Sequence, residues 1–494
     1  MKILSIEDTR ALDEYTIKHE PIASIDLMER ASQAFCDWFV ENVFTKKIEV
    51  ICGIGNNGGD GLAIARILIS RGYDANVFVI GDIEKGSADF KLNWKRLDVK
   101  PQIIEDTLPE IEAGSVIIDA IFGSGLSRLV KGHYADVIQQ VNSLDNTVIS
   151  VDIPSGLFAD KTSAGDAIVK ANATVTFQLP KLAFMFPDSY PYVGAWEAVD
   201  IGLSQQFIQS TDSDFYYLVN EDISHLIKPL PKFSHKGSNG HGLLIVGSYG
   251  KMGAAVLSAM AALRTGIGLL SVHMPGKGNE IIQVSVPEAM SIPDVNDEHI
   301  SEIGDVETYS AIGIGPGLGK HISTVKALAE LLRSVSKPLV IDADALNIIS
   351  ENQELLELIP KNSILTPHPK EFERLVGSWS DDFNRLDKLR QLAKKYQLIV
   401  VLKGAHTAIA SVDGKVYFNS TGNPGMGKGG SGDVLLGMLT ALVAQGYQPL
   451  DAAKIGVYLH GLAGDIAADT YHERGMMASD IIEMIPSAYQ ILTS

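Results

Sequence analysis

The sequence predicts an α/β protein of two domains, each built on a largely parallel sheet covered by helices. Three observations predict it. Short apolar runs alternate with helix-period segments almost throughout the chain, the pattern of repeated β–α units. Most of these runs are apolar on both faces, as strands sheathed on both sides require. The chain has 494 residues, more than one core usually supports, and its periodicity weakens around LSQQFIQSTDSDFYYLVNEDIS (203–224). These observations set the domains at 1–215 and 220–494.

In the first domain, ASIDLMERA (23–31) reads as a helix. IEVICGIG (48–55) is a strand entering a glycine loop, and LAIARILISRG (62–72) is the helix after it, ended by Gly72. ANVFVIGD (75–82), SVIIDAIFGSG (115–125), TVISVDIPSG (147–156) and ATVTFQLPK (173–181) are further strands. The second set begins at GLLIVGS (242–248). It continues with LLSVHMP, SAIGIGPGLG, PLVIDADALN, SILTPHPKE and LIVVLKGAHT, each ending in a polar or glycine-rich turn. VLLGMLTALVA (434–444) is apolar nearly all round, so it is a buried helix.

Composition narrows the function. Hydrophobic residues make up 46 % and charged residues 20 %, which fits a packed globular enzyme and not a disordered chain. A formal net charge of −19 removes any global positive field for nucleic acid or an anionic membrane. Anionic small molecules remain open, because helix N-termini and glycine-rich backbone hold phosphate locally. Cys36 and Cys52 lack metal-type spacing and read as buried, reduced thiols of a cytoplasmic protein. Glu7 and Asp8 interrupt the N-terminus before a signal-peptide core can form, and no apolar run reaches the ~18–20 residues of a membrane span.

Gly53-Ile-Gly55-Asn-Asn-Gly58 is a G-x-G-x-x-G between a strand and a helix, with Asp82 placed to grip a ribose. That is the Rossmann-like dinucleotide fingerprint. The continuation NNGGDG (56–61) departs from it, since a phosphate loop wants bare backbone and here Asn57 and Asp60 intrude. Two more strands end in carboxylates, Asp119 and Asp152, and the carboxyl ends of parallel strands open into one crevice. Asn57, Asp119, Asp152 and Ser155 are therefore expected to converge. Such an oxygen-rich set suits a hard cation, and one aspartate can serve as a base. The alternative is that these aspartates cap the helices that follow.

In the second domain, TGNPGMGKGGSGDVLLG (421–437) contains G-x-x-x-x-G-K from Gly422 to Lys428, close to a P-loop. Gly429 stands where the magnesium-binding Ser or Thr should be, and three residues separate the lysine from Gly432-Asp433. The better reading is an anion pocket made by the amides of Gly430 to Asp433 at a helix start. Asp433 at its mouth can take a proton from a hydroxyl that faces a phosphoryl group. Here too a plain helix cap is the alternative.

GNNGGDG, DAIFGSG and VDIPSG, in that order, with ASIDLMERA, resemble the N-terminal domain of the NAD(P)H-hydrate epimerases. The resemblance implies that the hydrate contacts Asn56, Asn57, Gly58, Gly59, Asp60, Gly123, Ser124, Gly125, Leu126, Ser127, Arg128, Leu129 and Asp152. It implies a potassium ion on Asn57, Asp119 and Ser155, and Asp152 as the base of epimerisation. SHKGSNGHG (234–242), GSYGKMGAAVLS (247–258), IGPGLG (314–319), DADALN (342–347), TPHPKE (366–371), LKGAHT (402–407) and NPGMGKGGSGD (423–433) resemble the ribokinase-like kinases. They are closer still to their offshoot, the ADP/ATP-dependent NAD(P)H-hydrate dehydratases.

That second resemblance implies a ribokinase-like fold, with Lys403, Gly404, Ala405, His406, Thr407 and Gly432 on the adenine nucleotide. Ala254, Gly317, His368 and Asp433 would meet the hydrate, Asp433 would be catalytic, and Mg²⁺ would assist. Lys236 is either a phosphate contact or a solvated lysine, and Asp342 and Asp344 either lie near Mg²⁺ or cap the DADALN turn. The implied protein is a homo-oligomeric fusion that acts on NAD(P)H hydrates with ADP or ATP. Its rival is a small-molecule kinase fused to a non-catalytic Rossmann-like module.

Overall fold

The computed structural model describes residues 1–163, 165 and 167–493. Backbone contacts divide the chain into two compact units: Lys2–Ser213 with Asp381–Phe383, and Met1 with Asp214–Ser380 and the chain from Asn384 onward. No described helix is long and apolar enough to cross a membrane.

Among the described residues the N-terminal unit carries a seven-stranded parallel sheet. Its spatial order is Gln102–Ile104, Asp74–Ile80, Lys47–Cys52, Val116–Ala120, Thr147–Val151, Ala173–Phe177 and Ala195–Val199. The order reverses at Lys47–Cys52, whose neighbours on either side come later in the chain. Such a switch point opens a crevice at the carboxyl ends of the strands. Alternation within that strand feeds two cores. Ile48, Val50 and Cys52 pack with Phe35, Phe39 and Leu62, while Ile51 packs with Phe78, Ile117 and Ile138 on the other face. The result is a three-layer sandwich, with helices Ser24–Asn42 and Asn56–Ser70 on one side and His133–Asn142 on the other. Cys36 and Cys52 are buried free thiols within it.

Two differences from the sequence reading bear on function. The helix after the first strand starts at Asn56 and not near Leu62, so the amide-glycine stretch is its first turn and not a loop. Asn and Gly are weak helix formers, but packing overrides propensity here. A Cβ on Gly58 would lie 1.8 Å from the Gly53 carbonyl oxygen, so only glycine lets that turn close. In addition, a helix, Ile6–His19, precedes the expected first one. Ser5 caps it by accepting from the Asp8 N–H.

The C-terminal unit has a parallel run in the order Ile399–Leu402, Ile364–Leu365, Leu339–Ile341, Ala311–Ile314, His241–Ile245, Leu269–Met274 and Met290–Pro293. Antiparallel Ala408–Ala410 and Val416–Phe418 extend it past Ile399–Leu402. The helix Ser431–Ala444 is buried from Val434 through Leu442, as its all-apolar sequence requires. It starts at Ser431, two residues before the expected Asp433.

Candidate active sites

The N-terminal unit encloses a cavity of about 340 Å³ at the sheet's switch point. Asn56 and Asp60, four residues apart on one face of the first helical turns, both line it. Asn57, Gly58 and Gly59 are buried and do not line it.

Asp152 follows the strand Thr147–Val151 and also faces the cavity. Its φ of +67° puts a non-glycine residue in the left-handed region, at a cost of about 1–3 kcal/mol that the surrounding structure must hold in place. The hold is visible. Its N–H donates to the Val175 carbonyl at 2.8 Å, and its carboxylate accepts from the Thr176 hydroxyl at 3.2 Å and the Ser124 N–H at 3.3 Å. Lys181 Nζ lies 2.8 Å from Asp152 Oδ1, and both side chains are buried. Burial alone would raise the Asp152 carboxyl. The Lys181 ammonium and the Ser124 hydrogen bonds outweigh it and hold the group below the usual carboxylate range.

Two other carboxyls in this cavity go the opposite way. Burial, then the charge of Asp152, raises Asp13 to about 6. Burial, then Asp152, Asp13 and Asp89, pushes Asp60 well above its ordinary value.

Of Asn57, Asp119, Asp152 and Ser155, expected to converge, only one pair is in direct contact. Asp119 and Ser155 meet directly: Ser155 Oγ donates to Asp119 Oδ1 at 2.6 Å, and its N–H donates to Oδ2 at 2.9 Å. Asn57 stands beside Gly123, where an added Cβ would lie 3.2 Å from Asn57 Oδ1. Asp152 turns to Lys181 instead.

In the expected 123–129 stretch, Ser124 lines the cavity and the Gly125 carbonyl accepts from Arg10 at 3.1 Å. The Leu126 N–H closes a turn onto Gly123 at 3.3 Å. Ser127, Arg128 and Leu129 are exposed and do not line the cavity.

The C-terminal unit holds a larger cavity of about 810 Å³. Lys403, Gly404, Ala405, Thr407, Gly432, Asp433 and His368 line it, as expected from the sequence. His406 is not among them. Its ring is turned away, with Nδ1 3.1 Å from the Asn419 carbonyl and an edge contact to Tyr217. Burial lowers its basicity.

Gly430, with φ +98°, caps the helix, and the first residues of that helix, Ser431, Gly432 and Asp433, line the cavity. At its floor Lys403 Nζ meets buried Asp342 Oδ1 at 2.8 Å. Gly432 leaves the space over this pair open, since a Cβ there would lie 3.4 Å from both Asp342 Oδ2 and Lys403 Nζ. Burial first, then the negative charge of Asp342, raises the Asp433 carboxyl to about 6, and Lys403 offsets only part of the rise. A group so placed takes protons near neutral pH.

His368 caps the helix Pro369–Val376. The Lys370 and Glu371 N–H groups donate to its Nδ1 at 3.1 and 3.2 Å. The ring proton therefore sits on Nε2, which lies 3.4 Å from the Glu371 carboxylate. Ala254 and Gly317 come together, an added Gly317 Cβ lying 3.3 Å from Ala254 Cβ, but outside the lining of the large cavity. Lys236 is exposed and also outside it.

Lys428, the residue that imitates a P-loop lysine, has a different task. Its ammonium donates to the carbonyls of Glu473, Arg474 and Met476 at 3.1, 2.8 and 2.6 Å, which uses all three of its protons. Lys428→Ala is thus expected to cost about 1–2 kcal/mol of stability. Nucleotide affinity, measured by calorimetry, should change by less than about threefold, whereas a P-loop lysine would lose far more.

Sequence reasoning missed several residues. Lys181 gave one sign, a lysine between a strand end and the apolar run LAFMF. Asp13 sits on a helix that its Ser5–Asp8 start could have revealed. His460 is buried against the large cavity, and burial lowers it to about 4. Nothing in its local sequence marks it.

Comparison with known proteins now bears on both sites. A family model described as NAD(P)H-hydrate dehydratase matches residues 242–487, and one described as YjeF-related protein N-terminus matches 24–183. A bifunctional NAD(P)H-hydrate repair enzyme of Moorella thermoacetica is 35 % identical over 513 residues, 98 % of this chain and 96 % of that one. The chain belongs to the bifunctional NAD(P)H-hydrate repair enzyme family. Family members from Coxiella burnetii and Escherichia coli K12 are 36 % and 32 % identical, over 93 % and 88 % of this chain and 94 % and 84 % of theirs. The fold of the C-terminal unit is also that of a ribokinase-like superfamily protein from Enterococcus faecalis V583. That match has a TM-score of 0.50 and 27 % identity, and covers 57 % of this chain and 98 % of that one. Both family models thus fall on units that carry their own cavity and their own carboxylates.

Proposed function

We propose that the chain repairs hydrated NAD(P)H in two steps, epimerising its R and S forms in the N-terminal unit and dehydrating the S form in the C-terminal one. The observation that carries this reading is the pair of intact, chemically distinct carboxylate sites. Asp152 is held ionised by Lys181, and Asp433 is poised near neutrality at a glycine-built helix start. A non-catalytic N-terminal module would not need the first of these.

In the C-terminal cavity Asp433 takes the proton of the hydrate's hydroxyl, whose oxygen attacks the terminal phosphate of ADP or ATP. The amides that follow Gly430, with Lys403, hold the developing charge. Phosphate then leaves, the ring double bond returns, and with ADP the products are NAD(P)H, AMP and phosphate. Lys403, Gly404, Ala405, Thr407 and Gly432 would hold the nucleotide, and His368 would donate from Nε2. Mg²⁺ would neutralise phosphate charge.

A K⁺ ion fits the other unit. Buried Asp119 accepts only from neutral donors: Ser150 Oγ, the Ser155 hydroxyl and N–H, and the Ile121 N–H. Its carboxyl is raised by burial. Asn57 is buried beside Gly123, with its Oδ1 near that residue. Asn57, Asp119 and Ser155 would offer the ion side-chain oxygens, the ligands alkali cations take.

The test follows reduced-nicotinamide absorbance on pure S hydrate with ADP or ATP. Recovery with at least one nucleotide is expected. No recovery with either refutes the dehydratase, and accumulation of a stable phosphorylated alcohol would mark a kinase. Asp152→Asn should leave recovery from the S form intact and slow only that from the R form.

A further inference from the structure

We propose that Asp13 is a second catalytic residue of the N-terminal site, the proton donor that works with the Asp152 carboxylate. This deepens the epimerase reading and rests on it. Helix Ile6–His19 brings Thr9, Arg10 and Asp13 to the wall of the cavity, and Asp152 and Lys181 line it from separate elements that follow strands.

Charge makes the two carboxyls unlike. The carboxyls around this space are those of Asp13, Glu14, Asp60, Asp89 and Asp152, against the cations Arg10 and Lys181. Lys181 is committed to Asp152 at 2.8 Å, and Arg10 reaches the Gly125 carbonyl. Asp89 accepts from Ser24 Oγ at 2.6 Å, and Glu14 is exposed. Asp13 and Asp60 are left half-buried without a cation of their own, so each favours its neutral, proton-bearing form. Asp60 is raised by burial and by the charges of Asp152, Asp13 and Asp89. Asp13, raised to about 6, can both hold and give a proton near neutral pH. A proton-bearing carboxyl and an ionised one in one cavity are the acid and base that inversion at a hydroxylated carbon needs.

The step balances. The substrate's hydroxylated carbon adjoins the ring nitrogen. Asp13 gives its proton to the hydroxyl oxygen as that C–O bond breaks and water leaves, and the nitrogen lone pair forms C=N⁺. A water then adds to the other face. Its proton passes to Asp152 as the new C–O bond forms, and solvent returns the proton to Asp13. No oxidant or reductant is consumed.

The test uses the full chain and R hydrate, with uncatalysed epimerisation subtracted. Wild-type epimerisation should decline as pH rises through about 6, because the donor loses its proton. Asp13→Asn should slow epimerisation by about a hundredfold or more and abolish that pH limb, while dehydration of S hydrate is unchanged. Asp13→Glu, which keeps an ionisable acid, should retain the limb at a shifted midpoint. In heavy-oxygen water, wild-type epimerisation should place solvent oxygen in the product. The proposal is overturned if Asp13→Asn stays within about twofold of wild type with the limb intact, or if no solvent oxygen enters. A wild type that does not epimerise R hydrate at all overturns the epimerase reading itself, an outcome distinct from either of these.

Discussion

At about pH 8 the Asp433→Asn variant is expected to unfold later than the wild type and to return almost no NAD(P)H. The catalytic loss follows from removing the base that activates the attacking hydroxyl, worth roughly a hundred- to ten-thousandfold in kcat. The stability gain follows from linkage. The folded protein raises the Asp433 carboxyl from 3.8 to about 6, so between those values the native state binds more protons than the unfolded one. Its stability contribution is fully present below the unfolded value and is lost as pH rises through the folded one. The displacement corresponds to about 3 kcal/mol at pH 8, which an asparagine that cannot ionise does not lose. Denaturant titrations at about pH 4 and pH 8 check both halves. The variant should lead at the higher pH and match the wild type at the lower. A variant less stable than wild type at both pH values would remove the argument that Asp433 is held under strain for chemistry.

That tension explains what could be read from the sequence and what could not. Asp433 and Asp152 were visible because their chemistry is local: a carboxylate at a glycine-rich helix start, or at the end of a strand. The α/β class was visible because a strand buried on both faces must be apolar throughout, as IVVL at 399–402 is. Partners that meet only through the fold were hidden. Lys181 finds Asp152 from 29 positions away, and Asp342 finds Lys403 from 61. The acceptors of Lys428 were hidden for the same reason, being the carbonyls at 473, 474 and 476. The helix start at Asn56 was missed because local propensity argues against a run of amides and glycines. The contact of Gly58 with Gly53 decides it, and no window confined to the helix contains that contact.

The Lys181–Asp152 pair yields the other large effect. Lys181→Met keeps the apolar volume of the side chain and removes its charge, leaving Asp152 buried without its cation. Breaking a buried pair on one side costs about 3–5 kcal/mol, far more than a surface pair would. Both side chains are 11 % exposed or less, so solvent screens little of this. The direction of the pH dependence also reverses. In the wild type the Asp152 carboxyl lies below its usual range, so its contribution is present above the unfolded value and is lost as pH falls through the folded one. Without Lys181, burial dominates and the carboxyl moves above that range. Stability is then lost as pH rises, and Asp152 spends more of its time protonated and unable to act as a base. Epimerisation by Lys181→Met should therefore fall sharply near neutral pH, while S-hydrate dehydration continues. Adding Asp152→Asn should restore most of the lost stability and none of the epimerisation, because the orphaned charge is gone but so is the base. If the double variant is no more stable than Lys181→Met alone, Lys181 supports the fold by packing, and its ion pair is not what holds Asp152 ready.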